Sequence, residues 1–322
     1  MPLRGWENSL LTLSFAKPKS MLPSGGNGLS TPGNIAPAKI HLENVSVVFP
    51  SPHGEVTALQ NVNLSIPKGE FVCLVGPSGC GKSTLLNTIA GLLNVTQGRI
   101  YKDGVPIECA GPDRAVIFQE AAIFPWLTAV QNVEFALKHI RDKRERRRQA
   151  REHLQTVHLS RFADSYPHEL SGGMRQRVAI ARALALDPDV LLMDEPFAAL
   201  DAQTRDMLIE EVQRIWLTTR KTIIFVTHNV MEAVTLGDRV ICMGTRPGCI
   251  KEELLITLPR PRVVEHPDTA RLAAQIIDHL RGEIAKIVQE ESDLAEAEWR
   301  RGGQVGSDSV LHPGSGVMGD GI

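Results

Sequence analysis

One stretch of nine residues, Gly76–Thr84, constrains the fold of this chain more than any other part of the sequence; it reads G-P-S-G-C-G-K-S-T. The preceding residues, Phe71–Val75, form a short apolar run typical of a strand buried on both faces of a parallel sheet. The following residues favour a helix from Thr84 to Ile89 that ends before Gly91. The sequence therefore predicts a glycine-rich loop between a buried strand and a helix.

The residue types in this loop suit a bound phosphate. Its glycines allow a tight turn that presents several backbone N–H groups to one anion, at a helix N-terminus whose dipole favours negative charge. Lys82 is expected to neutralise the β- and γ-phosphates of ATP, and the Ser83 hydroxyl to ligate magnesium. A glycine-rich turn that happens to carry a lysine is the alternative, and the full G-x-x-x-x-G-K-S pattern argues against it. The residues expected to contact the nucleotide are Gly76, Pro77, Ser78, Gly79, Cys80, Gly81, Lys82, Ser83 and Thr84.

Composition excludes several classes of protein. With 322 residues, 43% of them hydrophobic, the chain can build a packed core in one large domain or two smaller ones. A net charge of -2 gives no reason to expect nucleic acid as a partner. The five cysteines contain no C-x-x-C pair, which argues against a disulfide framework and a zinc site and favours a reducing cytosol. No apolar run approaches the roughly 18 residues of a membrane-spanning helix, so a transport role needs a separate membrane chain.

Two predictions concern single side chains near the loop. Cys80 lies near a helix N-terminus, so it is either a thiol whose pKa is lowered or a small space-filling side chain. Phe49 ends a strand predicted over Ile40–Phe49, which is followed by a polar turn at Pro50–Gly54 and a second strand over Val62–Ile66. Phe49 is either an ordinary core aromatic residue or a ring that stacks on adenine. The two strands predict an antiparallel edge ahead of the phosphate loop.

Further strands are predicted over Gly98–Tyr101 and Ala115–Phe118. The second is followed by Gln119, at the carboxyl end of a strand, where open α/β sheets bind ligands. The apolar cluster Ala122–Leu127 is either core or a docking surface for a partner. The basic run Lys138–His153 carries acids at helical spacings and no interleaved aromatic residues, so it indicates a solvated helix rather than a nucleic-acid arm.

A second glycine-containing stretch, L-S-G-G-M-R-Q-R from Leu170 to Arg177, precedes a run of good helix formers. Ser171, Gly172 and Gly173 predict a second helix N-terminus able to bind an anion. One nucleotide does not need two such sites in one chain, whereas two chains facing head to tail would use both. The sequence therefore predicts a symmetric dimer with ATP sandwiched at the interface.

The apolar strand Val190–Glu195 ends in two carboxylates. Because alternate residues of a strand point to opposite sides, Asp194 and Glu195 can divide two tasks. Asp194 is expected to hold magnesium through water, and Glu195 to polarise the attacking water as general base. The alternative is a capping pair before Pro196.

Two more elements follow. Asp201 is predicted to cap a helix that runs to Thr219, and a buried strand over Thr222–Val226 delivers Thr227 and His228 at its carboxyl end. A lone histidine is usually structural or solvated, but one at a strand end of this sheet can contact a γ-phosphate.

The two ends of the chain differ in composition from the middle. We expect a disordered leader over residues 1–38 and a disordered glycine- and serine-rich tail over 302–322. Over 263–301 we predict a helical extension capped by Asp268, whose apolar stripe packs on the domain; the alternative is a helix that binds a partner or stabilises a dimer. The stripe comprises Leu272, Ile276, Ile277, Leu280, Ile284, Ile287 and Val288.

Taken in order, residues from about 40 to 262 resemble the ATP-binding subunit of an ABC transporter. The resemblance rests on the phosphate loop, Gln119, the L-S-G-G-M signature, the aspartate–glutamate strand end, the Asp201 loop and His228, which all occur in family order. The signature separates this family from P-loop kinases and GTPases.

The resemblance implies an α/β fold: a P-loop NTPase ABC-type nucleotide-binding domain over 39–262, with an antiparallel β edge, a helical subdomain at about 120–186 and the C-terminal helical extension. It implies that Gln119 contacts magnesium and relays the nucleotide state to the membrane subunit. It further implies that Ser171–Gly173 contact ATP bound by the opposite subunit, that His228 positions the γ-phosphate, and that the Asp201 loop adjoins the nucleotide.

Phe118–Thr128 and Asp194–Arg205 resemble the corresponding segments of nitrate, sulfonate and taurine importers. This likeness implies an ATPase at the cytoplasmic face of a cell membrane that works with permease subunits and a substrate-binding protein. The sequence departs from the family at Phe49, where tyrosine is common, at Asn229, where aspartate often follows the histidine, and at Ala198, where glycine or serine is more usual. The first departure affects only the proposed stacking on adenine.

Two other classes of function compete with the importer. A soluble ABC ATPase of translation or DNA repair usually carries two cassettes or a long coiled-coil insertion, and this sequence predicts one cassette without a heptad block. A scaffold that binds nucleotide without hydrolysing it is expected to lack the base or the histidine, and both Glu195 and His228 are present.

Overall fold

Two β-sheets with helices packed against them make up the part of the chain that the structure describes. The structure is a computed structural model that describes residues 38–52, 54–198, 200–264, 266–282 and 285. The predicted tail and, apart from Ala38, the predicted leader lie outside the described residues. So do Ile284, Ile287 and Val288 of the predicted stripe.

Strands and helices alternate between residues 190 and 244, whereas the first half of the described chain groups them into consecutive strands and consecutive helices. The strands are β1 (Ala38–Ser51), β2 (Gly54–Pro67), β3 (Phe71–Val75), β4 (Gln97–Lys102), β5 (Val105–Pro106), β6 (Arg114–Ile117), β7 (Val190–Asp194), β8 (Thr222–Val226), β9 (Arg239–Gly244) and β10 (Cys249–Leu255). The α-helices are α1 (Lys82–Ala90), α2 (Ala129–Ala136), α3 (Lys143–Thr156), α4 (Gly172–Ala185), α5 (Ala202–Thr219), α6 (Val230–Leu236) and α7 (267–282).

The larger sheet has the strand order β10-β9-β3-β8-β7-β6. All its neighbouring strands are parallel except β10, which pairs antiparallel with β9 at one edge. On β3, Phe71, Cys73 and Val75 face a core shared with α2 to α5, whereas Val72 and Leu74 face a second core shared with α1 and the other sheet. Because both faces are covered, β3 and β8 are buried throughout, and apart from Thr222 their residues are apolar rather than alternating.

The second sheet is antiparallel and has the order β2-β1-β4-β5. Strand β2 begins at Gly54, well before the predicted start at Val62. The backbone of Gly54–Thr57 pairs with β1 although these side chains are exposed. The backbone hydrogen bonds between β1 and β2 therefore extend beyond the residues from whose apolar pattern the strand was predicted.

Helices α2, α3 and α4 pack together on the side of β6 and β7. Helix α3 starts at Lys143 behind the capping side chain of Asp142, later than the basic run itself begins. Within α3, Arg148 pairs with Glu145 and Glu152. Arg148 is therefore paired within its own helix, whereas Arg147 and Arg151 pair with Asp164 beyond the helix.

The last described helix, α7, differs in detail from its prediction. It begins at Pro267, so Asp268 lies in its first turn, and the carbonyl of His266 accepts the first helical hydrogen bond. Proline is favoured at this first position because its missing N–H would have no partner there. Ile276 and Leu280 are buried, whereas Ile277 is 40% exposed and does not belong to the packed stripe. Among the described residues, no helix is long and apolar enough to cross a membrane.

Candidate nucleotide-binding site

The predicted phosphate loop connects β3 to α1 at the carboxyl edge of the parallel sheet. Gly79 and Gly81 have left-handed backbones, with φ of 76° and 90°. A Cβ at Gly81 would lie 2.7 Å from Leu59 Cδ2 and 2.9 Å from the Ala58 carbonyl oxygen. Leu85 makes the first helical hydrogen bond, to Gly81, so the preceding N–H groups of α1 have no acceptor within the helix and can face an anion.

Lys82 is folded over this loop. Its Nζ donates to the carbonyl oxygens of Gly76 at 2.8 Å and Pro77 at 3.0 Å, and its side chain is buried. A cavity of about 270 Å³ lies beside it, lined by loop residues, Ala58 and Glu195. The ammonium group is therefore held at the edge of a small cavity that also faces a carboxylate.

Cys80 packs inside the loop and is fully buried. Burial raises the pKa of its thiol, and the nearby Lys82 opposes that rise without overcoming it. The possibility of a lowered thiol pKa is therefore wrong, because desolvation of the thiolate outweighs the nearby positive charge. The side chain fills space instead.

Ser83, in the first turn of α1, contacts Asp194, the last residue of β7. The Ser83 hydroxyl donates to Asp194 Oδ1 at 3.0 Å. Burial raises the pKa of the Asp194 carboxyl, while the hydrogen bond from Ser83 opposes the rise. Hydroxyl and carboxylate oxygens are the hard ligands that magnesium prefers, so this pair of donors fits that ion.

Gln119, the third predicted magnesium ligand, lies two residues beyond the end of β6 and is exposed. Strands β6 and β7 are neighbours, with Ile117 opposite Met193, so Gln119 emerges at the same sheet edge as Asp194. The preceding residue is anchored from α4, because Gln176 Nε2 donates to the Phe118 carbonyl at 3.0 Å. No pattern in the sequence predicted this anchor.

Glu195 and His228 form the second pair at this edge. His228 Nδ1 lies 2.8 Å from Glu195 Oε2, and the Glu195 backbone N–H donates to the Val226 carbonyl at 3.0 Å. Glu195 has a left-handed backbone with φ of 44°, a conformation that costs non-glycine residues about 1–3 kcal/mol and is often found at functional sites. Asp194 and Glu195 thus have different partners, Ser83 and His228. Glu195 lies beyond the end of β7, so its left-handed backbone, rather than alternation along the strand, directs its side chain.

The signature residues lie next to the Asp201 loop. Ser171 caps α4 and accepts from the Met174 N–H at 3.2 Å, and Asp201 caps α5 and accepts from the Thr204 N–H at 3.0 Å. A Cβ at Gly173 would be 3.0 Å from Leu200 Cδ2, which places the two loops in contact. In the part of the chain that the structure describes, no hydrogen bond or ion pair joins Ser171–Gly173 to the phosphate loop.

Two aromatic features lie away from the loop. Phe49 is 37% exposed near the end of β1, opposite Val56, and so does not belong to the core. The Phe124 ring lies 5.5 Å from that of Trp126 and 4.7 Å from that of Phe135, and Trp126 is 70% exposed. Within the cluster predicted as either core or docking surface, Ile123 packs on the core and Trp126 does not.

One buried carboxylate near the site was missed from the sequence. Glu232 on α6 is 5% exposed and accepts from the Thr227 hydroxyl at 2.6 Å. The sequence does contain a signal, because Glu232 stands four residues after His228 inside a short and otherwise largely apolar helix.

Comparison with known proteins finds relatives that match most of the described part of this chain. The family model described as ABC transporter matches residues 59–198. The nitrate import ATP-binding protein NrtD of Synechococcus elongatus is 44% identical over 259 residues, which cover 78% of this chain and 94% of that protein. The bicarbonate transport ATP-binding protein CmpD of Synechocystis is 44% identical over 256 residues, covering 77% and 91%. An uncharacterised ABC transporter ATP-binding protein of Methanocaldococcus jannaschii is 47% identical over 250 residues, covering 77% and 93%.

A solved structure shows the same likeness. The ATP-binding cassette MJ0796, a dimer in a post-hydrolysis state bound to ADP and Pi, is 36% identical with a TM-score of 0.63. The match covers 68% of this chain and 100% of that one.

Proposed function

This chain belongs to the ATP-binding proteins of ABC transporters and is an ATP hydrolase, as its motif order predicted, and from this premise we propose that it drives the import of a small inorganic anion. One observation carries the proposal for the site. The carboxyl edge of the sheet brings the phosphate loop together with the Ser83–Asp194 pair and the Glu195–His228 pair. These are the groups needed to hold a nucleotide and to activate water beside it.

The proposed reaction is attack of water on the γ-phosphorus of ATP. Glu195 takes the proton of the attacking water, the bond to the β-phosphate oxygen breaks, and ADP and phosphate leave. His228 contacts Glu195 through Nδ1, which leaves Nε2 to hold a γ-phosphate oxygen. The histidine thus sets the position of both the base and the phosphate.

The phosphate charges are met by the loop. We assign Lys82 to the β- and γ-phosphates, which it reaches by exchanging its contacts with the Gly76 and Pro77 carbonyls. Ser83, Asp194 and Gln119 are the residues that would hold magnesium, which supplies positive charge to the phosphates. Phe49, exposed on β1, is assigned to the adenine ring.

A dimer completes the site in this proposal. The loop cavity of about 270 Å³ is smaller than the roughly 300–1,000 Å³ typical of small-molecule sites. Ser171–Gly173 form a second helix N-terminus that is partly exposed, and among the described residues no hydrogen bond joins them to the phosphate loop of their own chain. We therefore assign Ser171–Gly173, with the adjoining Asp201 loop, to ATP held by the opposite subunit. MJ0796, which is similar to this chain, is a dimer.

The aromatic cluster of Phe124, Trp126 and Phe135 is the proposed contact for permease subunits at the cytoplasmic face of a membrane. Exposed aromatic rings are enriched at the centres of protein interfaces. Lys138 lies 3.7 Å above the Phe135 ring and Arg182 lies 5.3 Å from the Phe124 ring, so cations flank the apolar surface. A permease segment that inserts an apolar side chain beside an acidic one would fit it.

The names of relatives guide the choice of cargo. NrtD is named for nitrate and CmpD for bicarbonate, two small oxyanions, and the matches cover 78% and 77% of this chain. We propose uptake of one of these anions through a separate permease, with a substrate-binding protein delivering it. Taurine and alkanesulfonates, which the sequence segments also suggested, are the alternatives to test.

The test is uptake in the host. We expect deletion of the gene to abolish uptake of labelled nitrate or bicarbonate, and the wild-type gene but not the Glu195→Gln variant to restore it. Loss of taurine or alkanesulfonate uptake alone would replace the anion assignment. Normal uptake of all four would refute the assignment to these substrates and leave an importer of a different small substrate as the alternative. Release of phosphate from ATP by the purified protein would show that the ATPase activity is intact.

A further inference from the structure

Glu232 is a buried carboxylate that none of the roles above uses. It lies in the first turn of α6, is 5% exposed and has mainly apolar neighbours on that helix. Burying an ionisable group is unfavourable unless it is hydrogen-bonded or paired. Its partners therefore indicate why a carboxylate stands here.

The first partner belongs to the turn that carries His228. The Thr227 hydroxyl donates to Glu232 Oε2 at 2.6 Å, and the Asn229 N–H donates to Thr227 Oγ1 at 3.0 Å. The second hydrogen bond joins the residues on either side of His228, and the first ties Thr227 to α6. The histidine side chain itself is 62% exposed, so packing alone does not fix it.

The second partner lies on α5. Arg205 Nε is 3.7 Å from Glu232 Oε1, and the same arginine donates through Nη2 to the Leu200 carbonyl at 3.0 Å. Leu200 adjoins Asp201 and packs against Gly173 of the signature. Glu232 thus stands between the His228 turn and the loop that meets the signature.

The charges near Glu232 agree with this arrangement. Burial raises its pKa, and the hydrogen bond from Thr227, then Arg205 and His228, oppose the rise, while Glu195 adds to it. The carboxylate therefore interacts with both members of the Glu195–His228 pair although it contacts neither.

We propose that Glu232 is a positioning residue for ATP hydrolysis, which fixes Thr227 and thereby holds His228 beside Glu195, and links this turn through Arg205 to the Asp201 loop. The proposal rests on the role given to His228 above. Glu232 touches neither phosphate nor water in this role. It acts by restricting the turn, and small displacements of catalytic groups cost about 10²-fold in rate.

The variants Thr227→Val and Glu232→Ala test it. Thr227→Val replaces the hydroxyl with a methyl group of similar size and opens no cavity, so it stays informative if Glu232→Ala fails to fold. We expect each to lower kcat about 10- to 100-fold with the Kd for ATP unchanged within about twofold. Thr227→Ser and Glu232→Gln keep a donor and an acceptor for the same hydrogen bond, and we expect both to stay within about threefold of the wild-type kcat.

A double variant separates positioning from a general structural role. In a His228→Ala background, Glu232→Ala should change the residual kcat by less than about twofold, because the residue it positions is gone. A structural defect would lower kcat by the same factor in both backgrounds. Glu211→Ala is the matched control, since Glu211 is 7% exposed and pairs with Arg214 on α5. We expect it to affect thermal unfolding but not kcat.

Three outcomes would overturn the proposal. Glu232→Ala and Thr227→Val could hydrolyse ATP at the wild-type rate while His228→Ala is impaired, which would reject the positioning role alone. An equal loss in both backgrounds would show a structural role. Wild-type turnover by His228→Ala would reject the role of His228 itself, and the positioning role with it.

Discussion

Replacing Glu195 by glutamine removes the proposed base while preserving the shape of the site. The 2.8 Å contact with His228 Nδ1 survives in either tautomer, because the glutamine oxygen accepts from N–H and its amide donates to a bare nitrogen. The left-handed backbone at position 195 is equally strained with either side chain. The variant should therefore fold and bind ATP as the wild type does.

The expected loss is in the chemical step. General acid–base catalysis contributes about 10²–10⁴-fold, so kcat should fall by that factor, equivalent to about 2.7–5.4 kcal/mol of activation free energy. The Kd for ATP should stay within about twofold, since Lys82, Ser83 and the loop N–H groups are unchanged. With ATP bound but not hydrolysed, the variant should also accumulate as a dimer.

Three measurements on purified protein check this. Phosphate release gives kcat, a fluorescent ATP analogue gives the Kd, and gel filtration with and without ATP reports the dimer. Glu210→Gln on the exposed side of α5 is the matched control and should behave as the wild type. A Glu195→Gln variant that hydrolyses ATP within about threefold of the wild-type rate would refute the assignment of Glu195 as the base.

Three further predictions follow from the same geometry. Ser171→Arg should abolish phosphate release but leave the Kd of the isolated monomer unchanged, because Ser171 is assigned to ATP on the opposite subunit; retained turnover would contradict the shared site. Gly81→Ala should lower the free energy of unfolding by about 1–3 kcal/mol more than Gly104→Ala, measured by urea denaturation, since both have positive φ but only the first Cβ meets neighbouring atoms. Iodoacetamide should alkylate the exposed Cys109 before the buried Cys80, whose pKa is raised, with peptide mass spectrometry as the readout and with faster modification of Cys80 as the contrary result.

Local chemistry was enough to predict which residue types stand at the ends of these strands and helices. The glycine spacing, Lys82 and Ser83 belong to one continuous stretch whose backbone needs and charge can be inferred from neighbouring residues alone. The same holds for the two carboxylates after an apolar strand and for the caps Ser171 and Asp201, because capping depends on residues three positions apart. The α/β fold of the ABC type is confirmed by the matched family and by the solved cassette that shares it.

The bounds of some strands and the burial of some side chains could be determined only from the folded chain. The early start of β2 depends on hydrogen bonds to β1 rather than on its own side chains. The raised pKa of Cys80 depends on burial among distant residues, which outweighs the helix terminus that sequence reasoning relied on. Ile277 lies on the exposed side of α7, because the apolar stripe of this helix is wider than the surface against which the helix packs.

The sequence by itself determined which chemical groups this protein has and that each stands at a strand or helix end, since those features depend on neighbours in the chain. Only the tertiary structure decided which of them meet. Ser83 and Asp194 are 111 positions apart, and His228 and Glu195 are 33 apart, yet each pair lies within hydrogen-bonding distance because the parallel order of β3, β8 and β7 brings their carboxyl ends together. The same reason explains why the contacts of Glu232 were not predicted. Its two partners, Thr227 and Arg205, belong to a turn and a helix that lie on either side of it only in the folded chain.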